Sequence, residues 1–203
     1  MSAFIDFSTG AGLASATGVR PYLPALLAGG LARSDVGIDF DGTSFDFLES
    51  TAFLGALVAI AVVAFFLERA AAQRPGADAD ARAGRGPVEI AAGAVGVVLG
   101  ALLFGGALAD GGYETWIGIL LGPVCAALGW FAVGGLVERV RARIEADQAA
   151  LLTAYADGAA LLLAAIANFV PPLALLAIPG FIVLLLGRRR REGEKYAGLR
   201  ILR

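Results

Sequence analysis

The sequence predicts an all-α fold: a polytopic bundle of about six transmembrane helices, the first of them broken or re-entrant near Arg20–Pro24. Three observations carry this. Of 203 residues, 58% are hydrophobic and 17% charged, with a mean hydropathy of +0.76, where a soluble domain is nearer half apolar and a quarter charged. The apolar residues fall into blocks close to the roughly 20 residues that a helix needs to cross a bilayer. The loops between those blocks alternate between acidic and basic.

The blocks follow in order. The first covers residues 4–32 and is interrupted by Gly10, Gly12 and Gly18, then by Arg20-Pro21-Tyr22-Leu23-Pro24. The second covers 51–67, the third 88–109 and the fourth 113–137. The fifth, 149–170, ends at Pro171-Pro172, and the sixth, 173–187, is short, with Pro179-Gly180 inside it. Residues 1–187 thus read as one transmembrane domain, followed by a basic cytoplasmic tail, 188–203. Residues 1–12 have no Arg or Lys before the first apolar stretch, so the basic start of a signal peptide is missing and the first helix is expected to stay in the mature protein.

Segments 68–87, 138–148 and 188–203 together hold fourteen Arg and Lys residues. The other loops hold one, Arg33, against Asp35, Asp39, Asp41, Asp46, Glu49, Asp110 and Glu114. Cytoplasmic loops collect Lys and Arg. Six crossings with both termini cytoplasmic satisfy that rule at every loop, as in a multi-pass protein of a bacterial inner membrane. Residues 68–87 have linker composition, and 138–147 read as a solvated extension of the fourth span. In 33–50, Phe40, Phe45, Phe47 and Leu48 interleave with acids. This suits either a segment lying at headgroup depth or a plain solvated loop.

Composition excludes several chemistries. There is no His, and Cys125 is the single cysteine. Cys-based zinc sites, iron–sulfur ligation and an intrachain disulfide are therefore excluded, and no metal or cofactor is expected. A net charge of −2 argues against nucleic acid as a partner. No P-loop, GxSxG or HExxH occurs, and no nucleophile has a visible base beside it. A lipid-acting membrane enzyme is the least favoured reading.

Arg20 is the most unusual position. An Arg within a membrane block is expensive, by roughly 2.5 kcal/mol on insertion scales. Pro21 and Pro24 lack N–H donors, so helical hydrogen bonds fail beside it. Irregular backbone at depth is tolerated where it is buried in protein or lines a cavity. Either an Arg-lined site for an anion or lipid phosphate, which guanidinium grips in bidentate fashion, or a helix end with a structurally paired Arg fits these residues. Asp157, about two turns and roughly 10 Å inside the fifth block, is the natural partner. Tyr155 and Thr153 are lesser polar candidates. Asn168 falls at the outer interface, and Asp6, Glu68 with Arg69, and Glu89 read as helix ends meeting water. Gly96xxxGly100 and Gly118xxxGly122 have the spacing that lets helices approach closely, within or between subunits. Three spans following three would permit an inverted repeat.

At Gly18-Val19-Arg20-Pro21-Tyr22-Leu23-Pro24 the chain resembles the domain of unknown function 4126 family of bacterial membrane proteins. The resemblance continues at Phe66-Leu67-Glu68, at Asp157 and at Lys195-Tyr196-Ala197-Gly198-Leu199-Arg200. The basic or His-containing stretch associated with the fourth span of larger relatives is here Gly134 to Arg143, without His or Lys. The resemblance implies a polytopic helical membrane protein and lends no activity.

The residues favour a small channel or transporter with a polar path near Arg20 and Asp157, taking an anion or anionic lipid and expected to be a homo-oligomer. The alternative is a membrane scaffold that uses loop 68–87 and the basic tail, the tail also offering a surface for anionic lipid.

Overall fold

Arg20 and Pro21 divide the first apolar block into two helices. The computed structural model describes residues 2–72, 86–141 and 149–197. Helix α1 (Ala3–Val19) ends at Arg20, whose backbone is extended and whose N–H still donates to Ala16 O at 3.1 Å. Pro21 offers no donor, and α2 (Tyr22–Ala32) starts immediately after it. Pro24 lies in the first turn of α2, where backbone N–H groups need no intrahelical acceptor. A 3₁₀ turn (Asp46–Glu49) leads into α3 (Thr51–Ala72). Then come α4 (Pro87–Asp110), α5 (Thr115–Arg141), α6 (Ala149–Phe169), a single helical turn at Pro171–Ala174, and α7 (Ala177–Ala197). No strand occurs among the described residues.

The break reverses the chain. Ile5, Asp6 and Thr9 from the start of α1 line one small pocket together with Gly37 and Ile38, which follow α2. The other end of α1 packs far down the bundle, with Gly18 against Ala126 and Thr17 against Gly96. The first block is therefore a re-entrant hairpin with its tip at Arg20-Pro21. Pro171 lies at the Asp6 end, and α7 leaves from there. The start of α1 and the end of α7 thus fall at opposite ends of the bundle.

Among the described residues, three helical segments are long and apolar enough to cross a membrane: Pro87–Asp110, Thr115–Val137 and Leu151–Phe169. Tyr22–Ala32, Thr51–Leu67 and Pro171–Gly187 are shorter apolar helical segments. Helix α1 is the axis around which α4, α5 and α6 pack. From Asp6 to Gly18 every residue except Phe7 is buried. Its polar side chains turn back on their own helix: Thr9 Oγ1 donates to Ile5 O at 3.0 Å and Thr17 Oγ1 to Ala14 O at 2.8 Å.

Small residues make this packing close. A Cβ on Gly96 would sit 2.6 Å from Thr17 O, one on Gly100 2.9 Å from the Ala126 Cβ, and one on Gly118 2.7 Å from Gly105 N. One on Gly122 would collide with Gly100 O. The four glycines read as helix-packing positions therefore all face neighbours within this chain, where the missing side chains let backbones touch.

Segment 33–50 packs into the bundle rather than forming a plain solvated loop. Phe40, Phe45 and Leu48 are buried. The Phe40 ring fills the space over Gly106, and the Phe45 ring that over Gly105. The glycine-rich end of α4 is a groove, and these rings plug it. Ile38 N–H donates to Asn168 Oδ1 at 3.1 Å, and Asn168 Nδ2 donates to Val36 O at 3.3 Å, tying the plug to α6. Ser50 closes it by accepting the Phe53 N–H at 3.2 Å, which caps α3.

Candidate functional site

Two charged constellations lie at opposite ends of the hairpin. At the tip, Arg20 Nε and Asp157 Oδ1 are 2.6 Å apart. The break in the helix presents the guanidinium toward α6, and Asp157 meets it from about two turns inside that helix. The Arg20 side chain is 22% exposed and that of Asp157 38%. A charge-assisted contact of this length is strong, and mutual neutralisation is the cheapest way to hold both charges at depth. Pro21 and Pro24 are buried around the break. Pro21 also approaches α4, its Cβ lying 3.6 Å from where a Gly96 Cβ would be. Tyr155 does not join them. It is 76% exposed and, two residues from Asp157 on a helix that turns about 100° per residue, it projects from the opposite face.

At the other end the residues are mostly acidic. A cavity of about 340 Å³ is lined by Ala32, Arg33, Asp35, Asp41, Asp46, Glu49 and Ser50. The turn before it is self-ordered: Asp41 N–H donates to Asp39 Oδ1 at 2.9 Å, Thr43 Oγ1 donates to Phe40 O at 2.8 Å, and Gly42 takes a φ of 70°. Arg33, closing α2, donates through Nη1 to Glu49 O at 3.3 Å. Glu49 is 7% exposed. Its burial, then its hydrogen bond with Asp41, then the charges of Asp41, Asp39 and Asp46, push its pKa up to about 7. A pocket of about 50 Å³ lies alongside, lined by Asp6, Thr9, Asp110, Asn168 and neighbours. Asp6 Oδ2 there is buried without a hydrogen-bond partner, and Asp39 N–H points at Asp110 Oδ2 from 3.5 Å.

Reading the sequence alone places Arg20 beside Asp157, because two opposite charges inside apolar blocks need each other. It misses Asp6, taken as a helix end in water, since nothing local says that α1 is wrapped by later helices. It also misses that Glu49 is buried. The available signal was the run of aromatic residues around it, whose insertion drags the neighbouring acids inward. Of the scaffold surfaces, residues 73–85 of the loop and 198–203 of the tail lie outside the described residues, as do the side chains of 188–197.

Long apolar helices around a polar, glycine-rich re-entrant hairpin define a multi-pass helical membrane protein. Within that class the chain belongs to the family described as domain of unknown function (DUF4126), whose model matches residues 7–191. No curated protein and no solved structure matches the chain.

Proposed function

We propose that this protein is a small membrane channel or transporter, oriented with its acidic end outside, in which the Arg20–Asp157 pair at the hairpin tip is the polarity-selecting point of the path. The observation that supports it most directly is the pair itself: an Arg and an Asp in contact at a reversal of the backbone, each side chain partly accessible. Re-entrant backbone at membrane depth is a feature of substrate and ion sites because it is tolerated where it lines a cavity or is packed in protein. Ionisable residues at that depth mark such pathways. An arriving anion, a free one or a lipid headgroup, competes with Asp157 for the guanidinium, which suits oxyanions through its planar fork.

Proteoliposomes test this with wild type, Arg20→Ala, Asp157→Asn and the exchanged pair Arg20→Asp/Asp157→Arg. Flux of chloride, phosphate or labelled anionic lipid is expected from wild type and lost in Arg20→Ala, with the size-exclusion profile unchanged. The exchanged pair is expected to keep the fold and lose anion flux. Absence of flux from wild type for every probe, or flux untouched by Arg20→Ala, overturns the reading.

A further inference from the structure

One carboxylate oxygen each from Asp39, Asp41 and Glu49 lies within 4.8 Å of the other two. Like charges at this spacing repel unless something positive joins them. Glu49 supplies a second observation that points to a ligand. It is more than nine-tenths buried, it lines the acidic cavity, and among the described residues its Oε2 has no hydrogen-bond partner. Buried polar atoms nearly always have a partner, and a buried carboxylate is ordinarily paired or coordinates a metal. Among the described residues, Arg33 is the one base lining this cavity, and its Nη1 is engaged by the Glu49 backbone carbonyl.

We propose that Asp39, Asp41 and Glu49 form a binding site for a divalent cation of calcium's kind, at the acidic end of the bundle. The donor set is all oxygen and all carboxylate, which suits a hard cation. Calcium sits about 2.3–2.6 Å from its ligands, so two oxygens on opposite sides of one ion are about 4.8 Å apart. The three oxygens, all within 4.8 Å of one another, fit within that span. Magnesium demands a near-ideal octahedron at about 2.0–2.1 Å and gives up its waters reluctantly, which disfavours it at a site offering three carboxylates on two turns. The ligands come from two short turns, Asp39 and Asp41 from the turn that Gly42 closes and Glu49 from the 3₁₀ turn ahead of α3. A bound cation therefore locks the two halves of the plug together, with water completing its shell.

The site is independent of the transport reading, and its readout is binding. The full chain, purified in detergent and stripped with a chelator, is titrated with CaCl₂ by calorimetry. The expected result is one saturable site in the range of about 10⁻⁴–10⁻³ M, as for exposed extracellular modules, with MgCl₂ weaker. Asp41→Asn, which removes an exposed ligand, and Glu49→Gln should each weaken it by about tenfold or more, the effect expected of losing a ligand charge. Asp35→Asn lines the same cavity outside the triad and should bind like wild type; Asn tolerates the positive φ of position 35. No saturable binding up to about 10 mM CaCl₂, magnesium binding more tightly, Asp41→Asn binding like wild type, or Asp35→Asn losing as much as Asp41→Asn would each overturn the proposal.

Discussion

Helices α1 and α3 invert the usual relation between hydropathy and burial. Helix α3 is the more apolar, yet Val58, Ile60, Val62, Val63, Phe65 and Phe66 along it are exposed. It packs on the rest of the chain mainly through its first turns, where Leu57 is buried and Phe53 leans on the core. Helix α1 carries Asp6, Ser8, Thr9, Ser15 and Thr17, and all five are buried. In a bilayer the apolar helix gains nothing from leaving the lipid, whose tails are as apolar as leucine. The polar and small-residue helix gains close backbone contact and shelter for its hydroxyls. Burial here therefore tracks side-chain size and polarity rather than hydrophobicity.

The sharpest way to break this contrast is to give α1 side-chain bulk. In Gly18→Val the new Cβ would overlap the backbone carbonyl of Ala126, and backbone cannot move aside. Overpacking of this kind is worth about 3 kcal/mol or more, and loss of the monodisperse size-exclusion peak is the expected outcome. A Gly18→Val protein that folds like wild type would mean that the α1–α5 contact is not tight.

Next in size is the ion pair at the end of α1. Asp157→Asn leaves Arg20 without its carboxylate. Because both side chains are partly exposed, the expected loss is about 1–2 kcal/mol, below the range for fully buried pairs. A double-mutant cycle with Arg20→Gln, followed by unfolding in mixed micelles, should give a coupling of about 1 kcal/mol. A coupling near zero would remove the pair from the account of how the hairpin tip is held.

The third effect concerns the plug that links α2 to α3. The folded pKa of Glu49, about 7, lies above its ordinary 4.5. The folded state therefore holds this proton more tightly than the unfolded one, and the resulting stability is complete below 4.5 and lost as pH rises through about 7. Asp39, Asp41 and Asp46 face Glu49, and Arg33 lines the same cavity. Thermal unfolding without divalent cation should show a falling midpoint over that interval. Glu49→Gln, which mimics the protonated form, should flatten it. A midpoint independent of pH in wild type would contradict the burial of this carboxylate.

The smallest effect completes the contrast. Among the described residues, nothing lies within 4 Å of where a Gly55 Cβ would be. Gly55→Ala in α3 should therefore be silent or stabilising by up to about 1 kcal/mol, the helix-propensity difference. Comparing it with Gly18→Val in one unfolding assay reads the two helices side by side.

The long spans were legible because apolar run and helix coincide. Residues 88–109 became Pro87–Asp110, and 149–170 became Ala149–Phe169. Arg20 with Asp157 was legible for the electrostatic reason already given. The reversal at Arg20-Pro21 was not: a proline break permits a kink or a return, and contacts from residues more than 60 positions away decide between them. The plug was hidden for a related reason. Phe40 and Phe45 look interfacial by composition, and only the grooves at Gly105 and Gly106 reveal where their rings go.

The buried first helix also sets a timetable. Helix α1 precedes in the chain all of the partners that wrap it, since α4, α5 and α6 begin only at residue 87. Asp157, the partner of Arg20, is made later still. Helix α1 can therefore reach its buried position only after those helices are made. Its docking is a late, long-range event, slow in the way that pairings between distant parts of a chain are slow. A ribosome-arrested chain ending before α6 should leave α1 open to protease or thiol labelling, and a full chain should not.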